Sequence, residues 1–169
     1  MSLEVTEDIS AAALARYDML IDARSPGEFA EDHLPGAVNL PVLSDAERAE
    51  VGTIYVQDDR FKARRLGGAY VARNVARHLE TALADRGGGF KPLVYCWRGG
   101  MRSGAMATIL SQVGWRTTVL TGGYRTYRRE VVRRLYNGRL DLQFVLLDGH
   151  TGIRTKAASR AARSAMRSL

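Results

Sequence analysis

Short apolar runs that alternate with helical patterns constrain the fold of this chain more than any other feature. Three of the runs are typical of buried strands: MLIDAR (19–24), KPLVYCW (91–97) and RTTVL (116–120). Residues 44–85 show apolar side chains at helical spacing, and residues 104–114 form a second helical segment. Because strands that alternate with helices build parallel sheets covered on both faces, the sequence predicts a three-layer α/β fold.

Shorter elements complete this pattern. Turns are predicted at Pro26-Gly27 and Pro35-Gly36, with a short helix between them and a strand at 37–41. Residues 121–136 predict a turn and a helix, and residues 142–152 predict a further strand that ends in a glycine turn. Ligands of open α/β sheets bind at the carboxyl ends of strands, which makes the loops after LVYC and after FVLLDG the candidate sites.

Composition limits the classes of function. With 46% hydrophobic residues the chain can bury a core, and no apolar run approaches the roughly 18 residues of a membrane span. The N-terminus, MSLEVTEDIS, lacks the pattern of a signal peptide, so we expect a cytoplasmic protein without a membrane partner. One cysteine cannot form an internal disulfide and no segment has zinc-ligand spacing, so no metal and no bound cofactor are expected.

The net charge of +7 has two sources. Residues 151–169 hold five basic residues and no acid, while the other residues hold 20 basic and 18 acidic ones, so the last segment supplies +5 and the remainder +2. A second basic segment, 124–139, contains six arginines and one glutamate. It is either a solvated helix face or a surface for a nucleic-acid backbone. The candidate contacts with such a backbone are Arg125, Arg128, Arg129, Arg133 and Arg134.

The single cysteine begins a glycine-rich loop, YCWRGGMRSGAMA (95–107). Backbone N–H groups in such a turn can form a nest for an anion, and the N-terminus of the following helix adds partial positive charge. With the charges of Arg98 and Arg102, these groups should hold the pKa of Cys96 below about 8.5. We therefore predict that Cys96 is a nucleophile or chalcogen carrier. The loop residues predicted to bind the charged sulfur, selenium or oxyanion are Trp97, Arg98, Gly99, Gly100, Met101, Arg102 and Ser103.

Other interpretations of the loop stay open. Five residues separate Cys96 from Arg102, which is also the spacing of cysteine-dependent phosphatases, in which the arginine holds two phosphate oxygens. Asp22 or Glu28 could then be the general acid, although the sequence assigns that role to neither. The loop could also be a module that only binds an oxyanion. Trp97 could stack on a base, cover the loop or pack partly into the core.

Four segments of the chain resemble the rhodanese family in order and spacing: IDAR (21–24), HLPGAVNLP (33–41), VYCWRGGMRS (94–103) and VLTGGYRTYRR (119–129). The resemblance implies a rhodanese domain over residues 1–140, with Cys96 as the residue that carries the transferred sulfur. It gives Asp22 and Arg24 the role of structural support for the loop. It also leaves open a stand-alone sulfurtransferase that acts on thiosulfate or on a protein persulfide.

A narrower resemblance rests on SDAERAEVGTIY (44–55), on the C-x-R-G-G-x-R-S loop and on FVLLDGHTG. Together they resemble the bacterial tRNA 2-selenouridine synthase family, in which a rhodanese domain precedes a P-loop domain. This implies a transferase that replaces sulfur by selenium in the wobble 2-thiouridine of tRNA. The implied co-substrates are selenophosphate and, through a geranylated intermediate, geranyl diphosphate.

The segment GHTGIRTK (149–156) departs from the P-loop pattern G-x-x-x-x-G-K-[ST]. Gly149, Thr151 and Gly152 remain, but Arg154 occupies the second glycine position and Thr155 the lysine position. A side chain at the second glycine position would obstruct the close approach of a phosphate. We expect residues 141–169 to be the truncated start of a P-loop domain with a basic, disordered tail, and we expect no nucleotide hydrolysis.

Overall fold

A sheet of five parallel strands organises residues 3–137, which are the residues that the computed structural model describes. The strands are β1 (Glu4–Thr6), β2 (Met19–Asp22), β3 (Val38–Asn39), β4 (Pro92–Tyr95) and β5 (Thr118–Leu120). Their order across the sheet is β1-β5-β4-β2-β3, and every pairing is parallel. The predicted α/β fold with a central parallel sheet is therefore confirmed.

Six helices connect or follow the strands. They are α1 (Ala11–Leu14), α2 (Pro26–Glu31), α3 (Asp45–Gln57), α4 (Arg60–Glu80), α5 (Met101–Val113) and α6 (Tyr124–Asn137). Ser44 caps α3, because its hydroxyl accepts the Glu47 N–H at 3.2 Å while the Glu47 carboxylate accepts the Ser44 N–H at 2.8 Å. None of the helices within residues 3–137 is long and apolar enough to cross a membrane.

Alternation along β4 divides the core into two layers. Val94 belongs to one cluster with side chains of α4 and α5, such as Val75 and Leu110. Leu93 belongs to a second cluster that includes Leu34 and Tyr124, the first residue of α6. Because successive side chains of a strand point to opposite faces, the sheet is covered on both sides, as parallel sheets require. Cys96, the residue after β4, belongs to the same cluster as Val94.

Several local predictions need correction. The sequence pattern predicted neither β1 nor α1, since these are elements of three and four residues. Pro26-Gly27 is not a separate turn but the first turn of α2, where proline's fixed φ suits the first helical position. Helix α5 begins at Met101, three residues before the predicted start.

The two histidines within the described residues have structural hydrogen bonds. Nδ1 of His33 lies 2.9 Å from the Phe29 carbonyl oxygen, and its ring stacks on Phe29. His78 is partly buried, with Nε2 2.9 Å from the Pro41 carbonyl oxygen. The degenerate P-loop residues Gly149, Thr151 and Gly152 lie outside the described residues.

Candidate active site

The Cys96 loop lies at the carboxyl edge of the sheet, between the end of β4 and the start of α5. It is also fastened to the start of α6. The Tyr124 N–H donates to the Cys96 carbonyl oxygen at 2.8 Å, and the Arg125 N–H donates to the Trp97 carbonyl oxygen at 3.2 Å. Three elements therefore fix the backbone that carries the thiol.

Two glycines allow this close approach of backbones. Gly99 has φ +66° and Gly123 has φ +57°, a region that favours glycine. A Cβ on Gly99 would lie 2.6 Å from the Leu120 carbonyl oxygen, and a Cβ on Gly123 would overlap the Cys96 carbonyl oxygen. A side chain at either position would push the loop away from α6.

The Cys96 sulfur is enclosed by hydrogen-bond donors. The residue is only 3% exposed, yet Sγ lies 3.2 Å from the Ser103 Oγ. Burial raises the pKa of this thiol, but the Ser103 hydroxyl and the backbone N–H groups of Ser103, Gly100 and Arg98 lower it by more, so the pKa lies below its ordinary value. The sulfur therefore lies at the edge of the core and has polar as well as apolar neighbours.

The two loop arginines differ in their partners. Arg102 donates to both carboxylate oxygens of Glu28, at 2.6 and 3.3 Å, and Arg48 approaches the same carboxylate to 3.1 Å. Burial raises the pKa of Glu28, but the hydrogen bonds from Arg102 and Ser25 and the charges of Arg102 and Arg48 together lower it by more, so the pKa lies below its ordinary value. Arg98 is exposed and forms no ion pair with any acid among residues 3–137. The groups that lower the pKa of Cys96 most are therefore amides and a hydroxyl, and not the guanidinium groups that the sequence suggested.

Asp22 and Arg24 form a buried ion pair beside the loop. The Arg24 Nη2 lies 2.7 Å from the Asp22 Oδ2, and the two side chains are 1% and 0% exposed. The Arg24 backbone N–H donates to Asp22 at 2.9 Å, and Nη2 also donates to the Asp32 carbonyl oxygen at 2.6 Å. Burial lowers the pKa of Arg24, but its bonds to Asp22 raise it by more. Asp22 is thus fully engaged and has no contact with solvent.

Trp97 forms part of the wall of a polar cleft of about 530 Å³. Its ring stacks on Tyr124 with centroids 5.4 Å apart and 29° between the planes. The Tyr124 hydroxyl donates to the Asp32 carboxylate, and burial together with this carboxylate raises the pKa of Tyr124 to about 12. Met101, the first residue of α5, is 70% exposed.

The candidate tRNA contacts on α6 are all exposed, but most of them have acidic partners. Arg128 lies 3.5 Å from Asp32, while Arg133 and Arg134 each lie 2.7 Å from Glu130. Arg133 and Arg134 hold the pKa of Glu130 at about 2. Arg125 and Arg129 form no ion pair with an acid in the described part of the chain. The uncompensated charge of the helix therefore lies on these two arginines and on the Arg133–Arg134 pair, which shares one carboxylate.

Sequence reasoning missed two contributors to the site. Asp32, through its carbonyl and carboxylate, binds Arg24 and Tyr124, and nothing in its local sequence pattern indicates this role. Glu28 was considered only as a general acid, whereas it holds Arg102 across 74 residues of sequence. The one local signal was its position three residues after Ser25, whose N–H donates to it at 3.2 Å.

Curated relatives carry the name tRNA 2-selenouridine synthase. The protein from Nitrosomonas europaea is 35% identical over 147 residues, which cover 86% of this chain and 38% of that protein. The protein from Cupriavidus necator is 37% identical over 152 residues, which cover 87% of this chain and 40% of that protein. The chain therefore spans well under half the length of these curated relatives.

One solved structure matches at a similar identity. It is the N-terminal domain of a protein from Clostridium difficile 630 described as ATP/GTP binding, and it is 34% identical with a TM-score of 0.62. The match covers 78% of this chain and 99% of that domain. A sequence model of the rhodanese-like domain matches residues 6–130, which include β2 to β5, the whole Cys96 loop and the first half of α6. The chain therefore belongs to the rhodanese-like domain family.

Proposed function

We propose that residues 1–140 form the rhodanese part of a tRNA 2-selenouridine synthase, with Cys96 as the residue that carries the transferred chalcogen. The full reaction replaces the sulfur of wobble 2-thiouridine in tRNA by selenium, in the cytoplasm. Selenophosphate is the proposed donor and geranyl diphosphate the proposed second co-substrate. Residues 141–169 are the start of the P-loop domain in this proposal, with Gly149, Thr151 and Gly152 as the remaining motif positions.

One observation carries the proposal: the sulfur of Cys96, at the end of β4, lies 3.2 Å from the Ser103 hydroxyl, and this hydroxyl and the amides of the loop hold the pKa of the thiol below its ordinary value. A lowered pKa increases the fraction of thiolate, which is the nucleophilic form. The names and identities of the curated relatives support the tRNA substrate. Asp22 and Arg24 support the proposal as scaffold, because their buried pair fixes the chain beside β4.

The loop suits a carrier of sulfur or selenium. The Cys96 thiolate attacks the outer sulfur of a sulfane donor such as thiosulfate, a new S–S bond forms, and sulfite leaves with the electron pair of the broken bond. The terminal sulfur of the persulfide then bears the negative charge, which loop amides can stabilise. Because Cys96 is the only cysteine in the chain, the cargo passes to an acceptor outside it.

Intact mass spectrometry tests this role directly. After incubation with thiosulfate, or with selenosulfate, whose selenium the thiolate attacks while sulfite leaves in the same way, we expect the wild-type chain to gain the mass of one chalcogen atom and Cys96→Ser to gain none. A Ser111→Ala chain, altered in α5 away from the sulfur, serves as the control and should load normally. Loading of the Cys96→Ser chain, or selenouridine formation in cells that hold only that variant, would refute the assignment.

A stand-alone sulfurtransferase is the second candidate. It is favoured by the match of the rhodanese-like domain model to residues 6–130. This candidate predicts thiocyanate formation from thiosulfate and cyanide at a rate that tRNA does not change. Phosphatase activity has less support, because Arg102, which would hold the phosphate, is bound to Glu28, and Asp22 is engaged by Arg24.

A further inference from the structure

Trp97 stands directly after the proposed nucleophile and is 38% exposed, although the indole is the largest apolar side chain. Its orientation is fixed on one side by the stack on Tyr124, and the Tyr124 ring in turn lies 4.2 Å from the Arg24 guanidinium carbon. The Trp97 carbonyl oxygen is held by the Arg125 N–H. The ring is therefore preorganised, and a ligand that binds it does not have to order it first.

The cleft beside this ring has an unusual mixture of surfaces. Apart from Trp97 and Gly27, its walls are hydrogen-bonding or charged side chains of both signs: Ser25, Glu28, Glu31, Asp45, Arg48, Arg98 and Arg102. An aliphatic ligand would remove water from these groups without offering them hydrogen bonds. A small inorganic anion would leave the indole face uncovered and would meet three carboxylates as well as three arginines. A flat heterocycle with polar edges satisfies both surfaces, because its face stacks on the indole and its edges bond to the polar walls.

Helix α6 also supplies positive charge that suits a nucleic-acid backbone. The helix begins at Tyr124, the residue on which Trp97 stacks, and it carries Arg125 and Arg129, which have no acid partner among residues 3–137. Aromatic platforms combined with arginines are the usual means by which proteins bind unpaired nucleotides. Stacking surface and positive charge are thus parts of one rigid unit.

We propose that Trp97 is the stacking platform that holds the target nucleobase of an RNA beside Cys96. The inference rests on the proposed function, because it assumes an RNA whose base receives or loses a chalcogen at this loop. The ring contacts the base, while the polar cleft walls contact its edges. Cys96 remains the residue that forms the bond.

The test compares Trp97→Ala and Trp97→Phe with the wild-type chain. The probes are an anticodon stem-loop RNA with 2-thiouridine at the wobble position and the same RNA with an abasic site there. We expect the wild type to bind the complete RNA more tightly than the abasic one, and Trp97→Ala to lose about tenfold in affinity for the complete RNA only. Trp97→Phe should retain most of the affinity. Intact mass measures sulfur loading on Cys96 in all three chains beside the RNA binding.

The outcomes separate this inference from the proposed function. A Trp97→Ala chain that binds the complete RNA as tightly as wild type would refute the proposed stacking role of Trp97. So would a wild type that loads sulfur but binds both RNAs equally. If Trp97→Ala binds RNA normally and instead loses loaded sulfur quickly, the indole is a lid and the platform is wrong. A wild type that neither loads sulfur nor binds RNA would overturn the proposed function together with the inference.

Discussion

Two arginine–carboxylate pairs flank the Cys96 loop, and they differ in how far water reaches them. Arg24 and Asp22 are 1% and 0% exposed and are joined at 2.7 Å. Arg102 and Glu28 are joined at 2.6 Å but are 22% and 13% exposed, and both border the polar cleft. Glu28 also has a second cation, Arg48, whereas Asp22 has only Arg24.

This difference in exposure indicates that Asp22–Arg24 supports the fold, whereas Glu28–Arg102 belongs to the site. A buried pair cannot lose one partner without leaving an uncompensated charge in the core, so Asp22–Arg24 is fixed. A pair at the edge of a cleft can exchange partners with solvent or with an entering anion, so Glu28–Arg102 can respond to a ligand. In both pairs an acid already neutralises the arginine. The thiolate of Cys96 therefore depends mainly on the dipoles of its own loop.

The largest expected effect comes from breaking the buried pair. Arg24→Leu leaves Asp22 without its cation, and we expect the free energy of unfolding to fall by about 3–5 kcal/mol. Urea unfolding measures this value. The matched change at the cleft, Arg102→Leu, should cost about 1 kcal/mol or less, because that pair is partly solvated. Equal losses in the two variants would remove the distinction between scaffold and site.

Next in size is the loss of the Ser103 hydroxyl. Ser103→Ala removes a donor 3.2 Å from the Cys96 sulfur, which raises the pKa of the thiol and lowers the thiolate fraction. Since a hydrogen bond to a charged group contributes about 1.5 kcal/mol, alkylation by iodoacetamide at neutral pH should slow about tenfold. Ser111→Ala, the same change in the same helix, should react like wild type. If Arg102→Gln slowed alkylation more than Ser103→Ala does, the arginine would be the main group that stabilises the thiolate.

A smaller effect, on tRNA affinity, is expected when arginines of α6 are neutralised, and it should depend on whether the arginine has an acid partner. The double variant Arg125→Gln, Arg129→Gln should bind tRNA several-fold more weakly, and the slope of affinity against salt should become shallower, because fewer counterions are released. The double variant Arg133→Gln, Arg134→Gln should change both quantities less, since these arginines share Glu130. Filter binding over a salt series measures both slopes. Binding that does not depend on salt would exclude this helix as a contact surface.

The smallest expected effect is the pH dependence of the cleft pair. Because the pKa of Glu28 in the folded chain lies below its ordinary value, its charged form stabilises the fold fully above that value. This contribution is lost as the pH falls from about 4.5 through the pKa of the folded state. Glu28→Gln should therefore flatten the acid side of the stability curve, whereas Glu31→Gln, an exposed acid without an ion pair among the described residues, should not. Urea unfolding between pH 7 and pH 3 tests this.

The sequence predicted the elements whose pattern is local and missed those that depend on long-range contacts. β2 and β4 are continuous apolar runs, so their burial was visible in the sequence. β1 has no such signal, because Glu4–Thr6 is recognisable as a strand only through its pairing with β5. Within the site, the glycine loop could be predicted from its residue types. The acid that neutralises Arg102 could not, because Glu28 is 74 residues away.

Titration of the single thiol in the wild-type chain is the most direct measurement. The ultraviolet absorbance of the thiolate is followed with pH, and Cys96→Ser supplies the background from the tyrosines. If loop amides and the Ser103 hydroxyl hold the sulfur ionised, the midpoint lies clearly below the value of about 8.5 for a free cysteine. A midpoint at or above that value would show that burial outweighs the donors, and Cys96 would then be a buried core residue rather than a nucleophile.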